Sequence, residues 1–302
     1  MMMNSWMLRW VGLGLCLALG ACSQPPTASN SPANPASVTP TPQPNVARVI
    51  ALTSLTADLV QRLDGKKLVG IPGSSLLRQD QRFKALPTVS EGRTSPNLEA
   101  IVALQPDLVI GASSFHADVA KRLNESGIRT LLTEVNSWEN LETLTTTLAA
   151  TLSADPEPLL QEYRAFLADA PKMAPSTLVL ANPKPLLSPN KASWAGDTLA
   201  RFGAKNVAAD LQGGAEFSGY ALLSPEKVLE VNPEVIILVS TGEGVVEQFK
   251  SNPIWNQLKA VSNNRVYVLD YYGLVNPGSI DAIKQACTTL KQQVFANQPG
   301  IR

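Results

Sequence analysis

Two glutamates stand where a docking surface would need them. Glu99 lies in "SPNLEAIVALQPDLVIGAS" (95–113) and Glu226 in "SPEKVLEVNPEVIILVS" (224–240), and a constant shift of 127 lays one stretch on the other. Under that shift Pro106 falls on Pro233 and Asp107 on Glu234. Apolar residues fall on apolar residues: Ile101 on Val228, Val102 on Leu229, Leu104 on Val231, Leu108 on Val235 and Val109 on Ile236. Each glutamate sits in the first turn of a predicted helix, two residues after a capping candidate, Asn97 or Ser224, where the helix dipole favours a carboxylate. One exposed anion on each of two copies of a unit suits a partner with two matched cationic sockets.

A second set of side chains suits ligand capture. Arg93 and Lys191 supply cations, Phe115, Trp194, Tyr271 and Tyr272 supply aromatic walls, and Thr53, Ser54 and His116 supply polar contacts. A large, flat or caged anionic ligand is held by that combination. Catalysis is not indicated. There is no Gly-x-Ser-x-Gly elbow, no His-Glu-x-x-His and no Gly-rich phosphate loop. His116 is the single histidine of the chain, whereas a bare Zn or Mn site needs several His and carboxylate ligands. No cofactor and no metal site are expected. With 25 basic and 25 acidic residues the formal charge is zero, so no nucleic-acid partner is expected either.

The elements that must position these residues alternate. Strands are predicted at 48–52, 67–71, 107–111 and 129–134, with helices between them and one over 138–152. After a helix opened by Asp155-Pro156 the alternation resumes, with strands at 177–182, 234–239 and 265–270 and a last helix over 279–295. That helix puts Ile280, Ile283, Cys287, Leu290 and Val294 on one stripe. The pattern argues for parallel, helix-covered sheets. We therefore expect an α/β fold of two similar lobes, 47–153 and 176–302, bridged by one long helix over 154–175. In open sheets of this kind ligands bind outside the carboxyl ends of the strands. The loops there, 53–54, 71–73, 91–93, 113–116, 183–193, 240–243 and 271–276, are expected to line a cleft between the lobes.

The first 46 residues are read apart from the fold. Residues 1–22 carry an n-region with one Arg and an apolar run too short to span a bilayer comfortably, closing in "LGAC" at Cys22. That ending resembles a bacterial lipobox, which implies cleavage before Cys22 and acylation of its thiol and new N-terminus. Of the remaining cysteines, Cys16 leaves with the signal peptide and Cys287 stays, so no intramolecular disulfide is expected. Residues 23–46, rich in Pro, Ser, Thr, Ala and Asn and without charge, read as a tether.

The stretches "RVIALTSLTADLVQRLDGKKLVGI", "SPNLEAIVALQPDLVIG", "WAGDTLARFGAKNVA" and "LSPEKVLEVNPEVIIL" together resemble the class III solute-binding proteins of ABC importers, over nearly the whole chain from about residue 47. The resemblance implies a monomeric extracytoplasmic carrier of cobalamin, ferric siderophore or haem. It also implies a long helix joining the lobes, and one surface glutamate per lobe, here Glu99 and Glu226, pairing with arginines on two permease subunits. Tether and lipid anchor would keep such a carrier near its transporter. Arg93, Lys191 and the hydroxyls rank a ferric siderophore first. Trp194, Tyr271 and Tyr272 serve a cobalamin second, and an axial His116 or tyrosine serves haem third. A non-transport interaction lipoprotein is the alternative from another class; it would lack the cleft.

Overall fold

A computed structural model describes residues 46–91, 94–211, 218–240, 244–251 and 253–296, all within the compact unit Gln43–Arg302. The signal peptide, Cys22, the tether up to residue 45 and Arg93 lie outside the described residues.

The first lobe runs β1 (Val49–Ala51), α1 (Ser54–Asp64), β2 (Leu68–Gly70), α2 (Ser75–Arg78), α3 (Leu98–Ala103), β3 (Leu108–Ala112), α4 (Ser113–Glu125) and β4 (Thr130–Thr133). Helices α5 (Trp138–Leu152) and α6 (Glu157–Leu167) follow. The second lobe runs β5 (Ala174–Leu180), β6 (Asn182–Pro183), β7 (Leu186–Pro189), α7 (Trp194–Arg201), β8 (Ala204–Asn206) and β9 (Tyr220–Leu223). It ends with α8 (Pro225–Val231), β10 (Val235–Ser240), α9 (Val245–Lys250), α10 (Lys259–Ser262), β11 (Val266–Asp270), α11 (Tyr271–Leu274) and α12 (Ile280–Thr289).

The lobes share one plan. The first sheet has the order β2-β1-β3-β4 and the second, read from its other edge, β8-β5-β10-β11, with every pairing parallel. The repeated helix–Pro–strand unit explains how. Asn97 Oδ1 caps α3 by accepting from Ala100 N at 3.1 Å, and Ser224 Oγ caps α8 by accepting from Lys227 N at 3.2 Å. The acid after each proline then pins the neighbouring strand. Asp107 Oδ2 accepts from Ala47 and Arg48 N–H, both at 2.8 Å, before β1; Glu234 Oε2 accepts from Ser176 N at 3.0 Å on β5.

Residues alternate across each sheet, as a sheet covered on both faces requires. Val49, Ala51, Leu108 and Ile110 of the first sheet and Val179, Ile237 and Val239 of the second enter one shared core with Trp138, Tyr163 and Ile283. Their neighbours Ile50 and Val109 pack outward with Ile101 and Leu123, and Leu178, Ile236 and Leu238 pack outward with Val228 and Phe249. The stripe Ile280, Ile283, Cys287, Leu290 and Val294 is buried as expected, although the last turn, Leu290–Val294, is a π-helix. Burial pushes the Cys287 thiol up to about 12.

The helix expected over 154–175 is shorter than expected. Asp155 Oδ1 accepts from Glu157 N at 2.9 Å and starts α6 as the sequence reading placed it. The helix nevertheless stops after 11 residues: Ala168 turns extended and Asp169 takes a left-handed φ of 59°. Pro171 stands just beyond, where it cannot continue a helix, and β5 begins inside the 154–175 segment. The loop expected over 183–193 holds strand β7, which with β6 and β9 forms an antiparallel ribbon that continues from the carboxyl end of β5.

Candidate ligand cleft and docking glutamates

The segments that leave the carboxyl ends of one sheet meet those that leave the other. After β4, Trp138 N donates to Asp197 Oδ2 at 2.8 Å and its indole N–H to Thr198 Oγ1 at 3.2 Å, both on α7 of the second lobe. After β1, Asp58 Oδ2 accepts from Ile280 N at 2.8 Å, at the start of α12. After β2, Leu76 and the ring of Tyr272 both crowd Gly278, where an added Cβ would lie 3.0 Å and 2.5 Å from them. The carboxyl edges of the two parallel sheets therefore face one another, the arrangement in which such sheets hold ligands.

Tyrosines make the most defined surface there. β11 ends at Asp270, whose Oδ1 accepts from Tyr272 N at 2.7 Å. Gly273 follows with φ of 94°, and a Cβ on it would stand 2.1 Å from the Ala282 carbonyl, so only glycine fits the turn. Tyr271 and Tyr272 meet edge to face with centroids 5.4 Å apart, and both are half-buried. Tyr220, on β9, joins them: burial, with Tyr271 beside it, pushes its phenol up to about 12. The sequence reading missed Tyr220, for which the only signal was an aromatic opening the short apolar run "YALL".

Trp194 does not line this surface. Its side chain is 2% exposed and packed at a tilt on Trp138, ring centroids 5.0 Å apart, and its Nε1–H donates to the Gly273 carbonyl at 2.7 Å. It lies beneath the tyrosine turn and holds it. Phe115, in contrast, is 73% exposed in the first turn of α4, immediately past the carboxyl end of β3. The next residue, His116, is half-buried. Its Nδ1 accepts from Ala112 N at 2.9 Å, which leaves the proton on Nε2, and burial lowers its pKa. Lys191 is spent on Asp210 at 2.7 Å in an open pair. Thr53 Oγ1 caps α1 by accepting from Thr56 N at 3.2 Å, and Ser54 opens that helix, half-buried. Two shallow grooves lie elsewhere among the described residues, one of about 570 Å³ between α4 and β4 and one of about 360 Å³ between α5 and α6, and neither holds an aromatic side chain.

Glu99 and Glu226 are both exposed, and among the described residues neither forms an ion pair. The Glu226 carboxyl is held below the usual range by its own backbone N–H and the Ser224 hydroxyl. A helix that feeds a parallel strand begins at the carboxyl edge of the sheet. Both glutamates, each in the first turn of such a helix, therefore sit on the side of their sheets that carries the tyrosines. No helix among the described residues is long and apolar enough to cross a membrane.

Comparison with known proteins agrees with this arrangement. The Fe(3+)-citrate-binding protein of Bacillus subtilis is 28% identical over 59% of this chain and 58% of its own length. The match thus spans less than two thirds of that relative. The high-affinity heme uptake protein of Staphylococcus aureus is 24% identical over 78% of this chain and 84% of its own. A solved ABC transporter substrate-binding protein from Listeria monocytogenes superposes with a TM-score of 0.70 at 24% identity, covering 84% of this chain and all of that one. The periplasmic binding protein family matches residues 49–272, and the chain belongs to it. The resemblance read from the sequence and the expected two-sheet α/β fold hold.

Proposed function

We propose that this periplasmic binding protein is the solute-capturing component of an ABC importer, works as a monomer outside the cytoplasm, is tethered through an acylated Cys22, and takes a ferric siderophore as its cargo. It is a carrier and not an enzyme. The observation that carries the reading is the tyrosine surface at facing sheet edges, with two exposed glutamates at equivalent places on the two lobes. Carboxylates that make no ion pair among the described residues, each in the first turn of a capped helix, are available to cationic sockets on two permease subunits. The names of the ferric-citrate and haem relatives support an iron-containing ligand.

One observation favours a second ligand. Lys191, one of the two cations assigned to an anionic siderophore, is already paired with Asp210. Tyrosine faces suit a flat macrocycle, cobalamin or haem, that stacks more than it ion-pairs. Titration of the full chain with ferric citrate, a ferric hydroxamate, cobalamin and haem, read by quenching of tryptophan emission, tests both readings. Submicromolar binding of a ferric chelate alone supports the first. Binding of a macrocycle alone transfers the assignment to the second, and no binding by any of the four removes the carrier reading.

A further inference from the structure

Away from the tyrosines, six charged side chains from both lobes and the bridge converge. Asp58, on α1, is fully buried, yet it takes three donors: Arg62 Nε at 3.1 Å, Arg82 Nη2 at 3.1 Å and the backbone N–H of Ile280 at 2.8 Å. Arg62 continues to Asp281 at 2.6 Å and lies 3.9 Å from Glu162 of α6. Arg82 continues to Asp281 at 3.3 Å and to Asp80 at 2.6 Å. The cluster thus ties α1 and the segment after α2, both of the first lobe, to the bridge and to the first turn of α12.

A buried ion pair gains little stability over well-packed apolar residues, because desolvation offsets the attraction. What it adds is geometry, since Asp58 keeps its partners only at one registration of α1 against α12. Arg82 holds the same segment whose Leu76 meets Tyr272 at Gly278. The separation of the sheets and the seat of the tyrosine ring are therefore set by the same charges.

We propose that Asp58 is the keystone of an inter-lobe clamp that fixes the gap between the two sheets before any ligand arrives, and so positions the tyrosine surface without touching what binds there. The clamp involves no ligand contact, so its test is independent of which ligand is carried.

The experiment is hydrogen exchange by mass spectrometry on the full chain without ligand, comparing wild type with Asp58→Asn and Arg82→Met. Asparagine keeps the volume and one acceptor but turns a donor toward the guanidiniums. The expected result for Asp58→Asn is exchange at least tenfold faster in two segments together, 81–86 of the first lobe and 280–283 of the second, with β3 and β10 as protected as before. Arg82→Met, which leaves the Ile280 bond in place, gives a smaller rise of threefold or more in the same two segments. Unchanged exchange at 280–283 in a folded variant overturns the clamp. An equal rise in β3 and β10 also overturns it, because Asp58 would then be stabilising the whole fold and not the junction. If Asp58→Asn fails to fold, Arg82→Met alone decides by the same criteria.

Discussion

Replacing Trp194 by Phe separates a floor residue from a ligand wall. Phenylalanine keeps an apolar ring against Trp138 but has no N–H to give the Gly273 carbonyl, now bonded at 2.7 Å in a buried turn. A buried acceptor left unsatisfied costs about 1–3 kcal/mol. The space vacated by the lost ring of the indole adds a cavity penalty, so roughly 2–4 kcal/mol in all is expected. For a domain of this size each kcal/mol moves Tm by about 2–4 °C, which puts the drop at about 4–16 °C, readable by calorimetry or circular dichroism. Ligand affinity should fall only a few-fold, because Tyr271 and Tyr272 lose their anchor and not their rings. The reasoning fails if Trp194→Phe melts like wild type while affinity collapses, for then the indole edge faces the ligand and not the Gly273 turn.

Reversing both proposed docking carboxylates, Glu99→Lys with Glu226→Lys, should abolish ligand import by cells producing the variant and leave ligand affinity and Tm as they were; loss of affinity would move these residues into the binding site. Tyr271→Ala and Tyr272→Ala should each weaken ligand binding about 3–10-fold, as expected for one aromatic contact of about 0.5–1.5 kcal/mol, and titration calorimetry showing unchanged affinity in both would remove the tyrosine surface. His116 supplies a pH signature. Burial places its folded pKa below the ordinary value, so the unfolded chain takes the proton first, and stability held above about pH 6.5 declines as pH falls through the lower folded value. Between pH 7 and 5 the Tm of wild type should therefore fall more steeply than that of His116→Gln, a window above the range in which the depressed carboxyls of Asp80 and Glu234 titrate; parallel slopes would refute it.

The parts of this molecule that were legible in the sequence are those whose causes are local. Asn97 and Ser224 announce their helices because a cap acts within three residues, and Asp107 and Glu234 repeat because each must catch backbone N–H groups at the start of the next strand over. Helix α5 was readable to the residue because Ser137 caps it and its apolar spacing runs unbroken. Trp194 misled because what buries it lies far along the chain: Trp138 precedes it in another lobe, and its hydrogen-bond acceptor is 79 residues on. Asp58 gave no signal for the same reason, since the amide it accepts from is 222 residues away. On the proposed function, duplication also says where ligand choice resides. Sheet order, caps and the exposed first-turn glutamates are common to the two lobes, so on that reading they serve the task both share, presenting a matched pair of anions. The features that differ are the β6-β7-β9 ribbon with Tyr220 and the Tyr271–Tyr272 turn on the second lobe, and the 73–96 segment and exposed Phe115 on the first. A ligand that must be recognised between two copies of one scaffold can be recognised only by what the copies do not share. Exchanging the tyrosine turn with a relative's should therefore alter which ligand is held, whereas exchanging α3 should alter only which permease accepts it.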